Sequence, residues 1–332
     1  MTIKVGINGF GRIGRNVLRA LLENGRDDIE VVAINDLTAP ATQAHLFEFD
    51  SVHGRFPGKV TFADGTMDVG RGPIRLTAER DPAKLDWSDV DIAMECTGFF
   101  RSSEEAGQHL KNGSSKVLIS APAKGKDVKT VVFGVNDDIL TAEDVIVSNA
   151  SCTTNCLSPV AHTLHNAFGL KRAYMTTVHS YTGDQPVHDT AHSDLYRARA
   201  AAMSMIPTTT GAATAVGLVL PELAGRIAGT SIRVPTPNVS CVDLVVELDR
   251  DVTAEEVNAA FVEAAKGMNG VMDTTTLPLV SIDFNHDPHS TIVALDQTDV
   301  LEGNMVRVMA WYDNEWGFSN RMLDTAAVMA NA

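Results

Sequence analysis

At 332 residues, with 44% hydrophobic and 21% charged side chains, the chain lies in the globular range and is long enough for two cores of roughly 150 residues each, which implies a cleft between them. A formal net charge of −15 and a pI near 5.0 exclude nucleic acid and anionic membrane as default partners, because the mean field repels both. A small anionic substrate stays open, and it would need a few arginines gathered locally against that field.

The first residues, Met1 to Gly6, hold too few apolar side chains before Asn8 for a secretory signal, so export is not expected. Four cysteines, Cys96, Cys152, Cys156 and Cys241, make no disulfide scaffold in a chain this long and suit a reduced, cytoplasmic setting. Ala200 to Pro221 carries no charge over 22 residues, enough to cross a bilayer. Pro207, Gly211, Gly217 and Thr208-Thr209-Thr210 argue against a span, since they would leave hydroxyls and a broken helix in hydrocarbon. A buried loop followed by a core helix is the expectation there.

Ile3 to Ile7 reads as a short buried strand, and Asn8-Gly9-Phe10-Gly11-Arg12-Ile13-Gly14 places Gly9, Gly11 and Gly14 in G-x-G-x-x-G spacing after it. The following helix would bury Val17, Leu18, Leu21 and Leu22 and stop at Asn24-Gly25. A second strand, Ile29 to Ile34, ends at Asn35-Asp36, 22 residues beyond Gly14. Each part of this βαβ unit has a task in dinucleotide binding. Glycines permit the tight turn and close backbone approach, the helix N-terminus faces a pyrophosphate, and the acid accepts from ribose hydroxyls. Glycines alone would also suit a tight turn without a ligand; strand, helix and acid at these offsets favour the nucleotide. Asp36 would repel a 2′-phosphate, which favours NAD over NADP.

Further strands are expected at 91–96, 116–120, 130–133 and 145–148. Thr97-Gly98 and Ser120-Ala121-Pro122 would stand at strand C-termini, the edge where open α/β sheets hold ligands, or would simply be turns. After the last strand comes Ser148-Asn149-Ala150-Ser151-Cys152-Thr153-Thr154-Asn155-Cys156, leading into the periodicity of Val160, Leu164 and Phe168. Ser151 reads as a helix N-cap, which puts Cys152 in the first turn, where unpaired N–H groups and the macrodipole favour a thiolate. The strand Tyr174 to His179 delivers an imidazole at its end, either as partner base or as a hydrogen-bonded, partly buried histidine.

Cys152, Cys156, His162 and His165 resemble a zinc run, but all lie along one helix rather than in pairs across a long loop, so no metal is expected. Cys156 is expected to pack as a small buried residue, and His286 and His289 to be loop residues. Donors for a phosphate appear at Thr182-Gly183-Asp184, Thr208-Thr209-Thr210-Gly211, Arg197, Arg199 and Arg233. Alternation over 239–248, 291–295 and 305–311 reads as antiparallel strands, and Ser319 to Met329 as a closing helix that returns to the first domain. The expected architecture is α/β: a Rossmann-type doubly wound parallel sheet domain (1–150), an α+β catalytic domain with a largely antiparallel sheet (151–316), and a C-terminal helix (317–332).

From Ile7-Asn8-Gly9-Phe10-Gly11-Arg12-Ile13-Gly14-Arg15 to Trp311-Tyr312-Asp313-Asn314-Glu315-Trp316-Gly317, the chain resembles the phosphorylating glyceraldehyde-3-phosphate dehydrogenase family over essentially its whole length, with Ser151-Cys152-Thr153-Thr154-Asn155 its most specific motif. The resemblance implies Cys152 as nucleophile and His179 as its activating base. It implies NAD as cofactor, held by Arg12, Ile13, Asp36, Arg80, Ser120 and Asn314 beside Gly9, Gly11, Gly14 and Thr97. It implies Thr182 and Arg233 on the substrate phosphate, and Ser151, Thr153, Arg197, Thr210 and Gly211 near inorganic phosphate. It further implies a cytoplasmic homotetramer in glycolysis, with the loop from Asp184 to Ile206 contributing to a neighbouring cofactor site. The implied reaction oxidises D-glyceraldehyde 3-phosphate to 1,3-bisphosphoglycerate through a hemithioacetal and a thioester on Cys152.

Three positions depart from the family pattern. Thr214 stands where lysine is common, Thr190-Ala191 replaces a Leu-Pro pair of many strictly NAD-dependent members, and Phe284 to Ser290 resembles the erythrose-4-phosphate dehydrogenases. That rival lacks the phosphate-binding loop matched by Thr208 to Ala213. A non-catalytic nucleotide-binding protein would need a damaged site, and a cysteine hydrolase would have no use for the glycine run or Asp36.

Overall fold

A computed structural model describes residues 2–268 and 270–332; Met1, with which the N-terminal reading and the first expected domain begin, and Asn269 lie outside it. The chain forms two compact units, one made of Met1–Phe133, Asp137–Ser151 and Ser319–Ala332, the other of Gly134–Asn136 and Cys152–Phe318.

The first unit is a Rossmann-type sheet. Its strands are β1 (Ile3–Asn8), β2 (Ile29–Asn35), β3 (Pro73–Thr77), β4 (Ile92–Glu95), β5 (Lys116–Ile119), β6 (Lys129–Thr130) and β7 (Ile146–Ser148), in the order β6-β7-β5-β4-β1-β2-β3. All these pairings are parallel, and a hairpin of Thr61–Ala63 and Thr66–Asp68 extends the β3 edge antiparallel. Strand order reverses between β1 and β4, which opens the ligand crevice of doubly wound folds at the end of β1. Helix α1 (Arg12–Glu23) buries Val17, Leu18 and Leu21, each worth about 1.5–3 kcal/mol relative to exposure. It stops at Asn24, followed by Gly25 at φ +64. The expected strand over 130–133 is cut to two residues: Val131 still donates to Ser148 O at 2.8 Å, but the chain turns away at Gly134, φ +80.

The second unit begins with α2 (Cys152–Phe168), whose face of Cys156, Leu157, Val160, Ala161 and Leu164 is fully buried. Then come β8 (Leu170–Ser180), β9 (Ile206–Thr208), α3 (Ala212–Val219), β10 (Ile227–Val234), β11 (Ser240–Leu248), α4 (Ala254–Gly267), β12 (Met272–Thr275), β13 (Thr291–Ala294) and β14 (Met305–Tyr312). Sheet order is β9-β10-β8-β11-β14-β13-β12, antiparallel except for β8–β10 and β12–β13. Period-two alternation along β8 buries Met175, Thr177 and His179 on one side. The parallel β8–β10 register sets His179 opposite Arg233.

The uncharged stretch from Ala200 is only partly the buried loop expected. Residues 206–208 pair with β10 as a strand, which turns Ile206 and Thr208 inward and leaves Met203 and Met205 82% and 75% exposed. No helix of the described residues is long and apolar enough to cross a membrane. The final helix, α5 (Trp316–Asn331), starts three residues earlier than periodicity indicates. From Ser319 it belongs to the first unit, where Asn24 donates to Asn320 Oδ1 and Arg26 pairs with Asp324, both at 2.6 Å.

The turn between β1 and α1 tolerates no side chain at Gly14, whose Cβ would stand 2.2 Å from Gly9 O. Gly14→Ala is therefore expected to cost about 1–3 kcal/mol of stability. Denaturant unfolding of the variant within about 0.5 kcal/mol of the unsubstituted protein, the range of a neutral surface change, would show that the turn relaxes freely.

Candidate active site

In the first unit, a cavity of about 460 Å³ opens at the end of β1, walled by Asn8, Gly9, Gly11, Asp36, Arg80 and Thr97. Gly9 is at φ +93, and a Cβ there would lie 2.7 Å from Thr97 N, whereas Gly11 has nothing within 4 Å of its Cβ position. The first and third glycines thus close the turn, and the second leaves the approach to α1 open. Gly11 is the N-cap of α1 and brings no side chain to its first turn, where no acid stands either, so the positive end of the helix faces an incoming anion uncontested by a carboxylate.

Asp36 accepts from Phe10 N at 2.7 Å through one oxygen and from Thr38 N at 2.8 Å through the other. Each oxygen keeps a lone pair, which is what two ribose hydroxyls require. Arg80 is exposed, Ile13 is half-buried in the first turn of α1, and Arg12 reaches Asp50, whose carboxyl burial pushes up but Arg12 and the His53 and Val52 N–H groups hold at about 2. Ser120 ends β5 beside β4, its N–H on Glu95 O at 3.0 Å. Phe99, 76% exposed, presents a ring to the same cavity; the sequence carried no periodic signal that would have singled it out. Glycine cradle, two-pronged acid and open helix end together fit a dinucleotide.

In the second unit, Cys152 is the first residue of α2, and its Sγ lies 3.4 Å from His179 Nε2. His179 Nδ1 meets the Ser180 carbonyl at 2.7 Å. Arg233 Nη1 also stands 3.1 Å from Nδ1, but the carbonyl oxygen, which only accepts, is nearer, so the proton sits on Nδ1 and the guanidinium donates to the carbonyl, which leaves the Nε2 lone pair for the sulfur. Arg233 Nη1 donates to the same Ser180 carbonyl at 3.1 Å and reaches Thr182 Oγ1 at 3.4 Å.

Burial pushes the Cys152 thiol up, opposed by the Arg233 charge and by hydrogen bonds from Thr153. Burial, then Arg233 and Arg197, pull His179 down to about 3, against the Ser180 carbonyl. The helix-end field expected to favour a resting thiolate is therefore outweighed by desolvation, and each charge taken singly is disfavoured. One proton passed from Sγ to Nε2 would create both charges together, at contact distance, which is the form a nucleophilic sulfur needs.

The remaining anion candidates divide. Arg197 is held by Asp184 at 2.6 Å and by Thr208 Oγ1 at 3.0 Å, with Asp194 Oδ2 at 3.7 Å. Its charge still reaches Arg233 and His179. Thr208, not Thr210, is thus the threonine bonded to Arg197, while Thr210 Oγ1 accepts from Ala212 N at the start of α3 beside Gly211. Arg199 pairs with Asp189 instead. Ser151 directly precedes α2, and Thr153 Oγ1 bonds to Tyr312 Oη at 2.9 Å. Thr214 is exposed on α3, so the departure there changes surface charge rather than packing.

Two supports went unread in the sequence. Tyr312 Oη also meets Thr177 Oγ1 at 2.9 Å, and its ring lies edge-on to His179 with centroids 6.0 Å apart. Ser180 and Ser240 each donate to Asn314 Oδ1 at 2.8 Å, which leaves Asn314 its amide N–H groups to offer a ligand. Cys156 is buried against Thr291, His162 bonds to Asn166, and His165 accepts from Leu170 N. Among the described residues, no group of three or more His, Cys, Asp or Glu is placed to hold a metal ion. His286 and His289 lie in the loop after Phe284, one stacked on Trp316 and the other on Asp287 at 2.8 Å.

Two family models match the chain: "Glyceraldehyde 3-phosphate dehydrogenase, NAD binding domain" over residues 3–103 and "Glyceraldehyde 3-phosphate dehydrogenase, C-terminal domain" over residues 151–314. Among curated relatives, the glyceraldehyde-3-phosphate dehydrogenase of Cereibacter sphaeroides is 68% identical over 330 residues and that of Xanthobacter flavus 64% over 332, each alignment covering 99% of both chains. Glyceraldehyde-3-phosphate dehydrogenase 1 of Bacillus subtilis (strain 168) is 54% identical, again over 99% of both chains. With its glycine cradle in one unit and its thiol–imidazole pair in the other, the chain belongs to the glyceraldehyde-3-phosphate dehydrogenase family.

Proposed function

We propose that the protein oxidises D-glyceraldehyde 3-phosphate to 1,3-bisphosphoglycerate with NAD and inorganic phosphate. The observation that carries this reading is the contact of Cys152 Sγ with His179 Nε2 at 3.4 Å, and the guanidinium of Arg233, 3.4 Å from Thr182 Oγ1, supports a role for the two on an anionic substrate. NAD, when bound, supplies the hydride acceptor; Gly9, Gly11, Gly14, Arg12, Ile13 and Asp36 would hold it, with Arg80, Thr97, Ser120 and Asn314.

Cys152 adds to the aldehyde carbon, and its proton passes through His179 Nε2 to the carbonyl oxygen, giving a hemithioacetal. Nε2 then takes the hydroxyl proton as the hydride leaves the same carbon, which leaves a thioester on Cys152. Inorganic phosphate attacks the thioester carbon, the C–S bond breaks, and the sulfur departs as a thiolate beside the protonated imidazole. Arg233 and Thr182 hold the substrate phosphate. Inorganic phosphate is received by Ser151, Thr153, Arg197, Thr210 and Gly211, Arg197 exchanging its Asp184 partner for the anion.

The protein works as a homotetramer in the cytoplasm. Supporting assembly, Val187, Leu195, Met203 and Met205 are all at least 75% exposed within one stretch of the second unit, an apolar surface that a soluble monomer rarely carries. Supporting the compartment, all four cysteines are free.

Absorbance at the reduced-nicotinamide band, with glyceraldehyde 3-phosphate, phosphate and NAD, is expected to rise with the protein and to be lost by about 10⁴-fold or more in Cys152→Ser. Phosphate-independent oxidation favouring erythrose 4-phosphate, or full turnover by the serine variant, would overturn the assignment. Iodoacetamide labelling of Cys152 at neutral pH is expected to fall about tenfold or more in His179→Asn, because the base is gone while burial still raises the thiol. In that variant reactivity should return only above the ordinary thiol value of 9.0; unchanged labelling at pH 7 would remove His179 from the role of base. Sedimentation should give about four times the 35.6 kDa chain mass, falling to smaller species when Met203 and Met205 are both changed to Glu. A monomer in the unsubstituted protein would end the assembly proposal.

A further inference from the structure

The first unit contains one buried carboxylate that the chemistry above does not use. Glu95, the last residue of β4, is fully buried, and among the described residues no lysine or arginine pairs with it. Its acceptor positions are filled by four donors. Oε2 takes Asn8 Nδ2 at 2.6 Å and His109 Nε2 at 3.0 Å; Oε1 takes Thr97 N at 2.8 Å and the Thr97 hydroxyl.

What lies beyond each donor fixes its orientation. The Trp87 indole N–H can only donate, and it reaches His109 Nδ1 at 2.8 Å. Nδ1 is therefore bare, and the ring proton sits on Nε2, aimed at Glu95. Phe99 N donates to Thr97 Oγ1 at 3.1 Å, which turns the hydroxyl hydrogen toward the carboxylate. Asn8 Oδ1 accepts from Asn35 Nδ2 at 2.7 Å, so the amide nitrogen of Asn8 faces Glu95. Asn35 Oδ1 in turn accepts from Thr77 Oγ1 and Glu79 N, both at 2.8 Å. The polarity runs one way across the ends of β3, β2, β1 and β4 and converges on an oxygen pair with no room for a proton of its own.

The residues tied down by this network wall the dinucleotide cavity: Asn8, Asn35 and Thr97 stand with Gly9 and Asp36 around it. Gly9 leaves no slack, since even a Cβ there would meet Thr97 N at 2.7 Å. We propose that Glu95, ionised and oriented by the Trp87–His109 pair, is the positioning residue of the cofactor cavity. It holds Asn8 and Thr97 on either side of Gly9 and, through Asn35, the strand end that carries Asp36. This inference rests on the reading that the cavity takes NAD.

Glu95→Gln must turn an NH2 group toward neighbours that are all donors, and its dissociation constant for NAD by calorimetry is expected to rise about tenfold, while iodoacetamide labelling of Cys152 stays as in the unsubstituted protein. Trp87→Phe frees the His109 proton to move to Nδ1, so that Nε2 can accept from the new amide. Adding Glu95→Gln to Trp87→Phe should consequently cost less affinity than Glu95→Gln costs alone. Native NAD affinity in Glu95→Gln, or losses that simply add in the double variant, would overturn the proposal. Should Glu95→Gln fail to fold, ¹⁵N shifts of the His109 ring in the unsubstituted protein decide: a bare Nδ1 and protonated Nε2 support it, and a proton on Nδ1 sinks it. Asp36→Ala separates the two layers. If that variant binds NAD normally, the cavity reading itself is wrong; if it binds weakly while Glu95→Gln does not, only the role of Glu95 falls.

Discussion

The parallel pairing of β8 with β10 governs the chemistry of this protein, because its register sets His179 opposite Arg233. The imidazole then has the Ser180 carbonyl on one nitrogen and the Cys152 sulfur on the other. A slip of one residue would send His179 to the opposite face of the sheet and part it from α2. Two further layers hold the register: β11 pairs antiparallel along the other edge of β8, and Tyr312 bridges Thr153 on α2 to Thr177 on β8. The nucleophile's position is thus a property of sheet pairing more than of the loop that precedes it.

A chain carrying a net charge of −15 handles anions by local exception. Arg197 and Arg233 lie close enough for each to be felt by His179, and Arg197 by Arg233. Asp184 and Asp194 restrain Arg197 without burying it. On the proposed function, an arriving phosphate would exchange one set of oxygens for another around the same guanidinium, so the site need not hold an uncompensated cation between turnovers. Two like charges kept near each other, partly shielded by exchangeable acids, favour a dianion over a singly charged competitor.

Much of this was legible in the residues. The strand, the glycine spacing and the acid at Asp36 placed the cofactor cavity, because each answers to local backbone geometry. The end of one strand and the start of one helix located His179 and Cys152 within a residue or two. Periodicity reports which face of an element is buried, however, and not which neighbour it meets. That is why the bond from Arg197 to Thr208 was not foreseen, why 206–208 was read as loop instead of an edge strand, and why Tyr312, Ser180 and Ser240 drew no notice. Glu95 left one trace, an acid at the end of the apolar strand Ile92-Ala93-Met94, but two of its four donors, from Asn8 and His109, come from separate segments that only the fold brings to it. The helix-end argument for Cys152 had the right sign and the wrong rank, since desolvation is invisible to a sequence.

The Arg233 charge acts in opposite senses on the two members of the thiol–imidazole pair. Arg233 favours a thiolate on Cys152 and disfavours a proton on His179. With the guanidinium uncompensated, the pair therefore rests as thiol and neutral imidazole, a form that resists stray alkylation and oxidation. On the proposed function, a substrate phosphate seated on Arg233 would cancel part of the positive field at His179, and the imidazole would become a better base at the moment an aldehyde is in place. Departure of the phosphorylated product would restore the field and expel the proton. Anion binding and base strength would then be linked through one side chain, and the arginine proposed to recognise the substrate would also time the acid–base step.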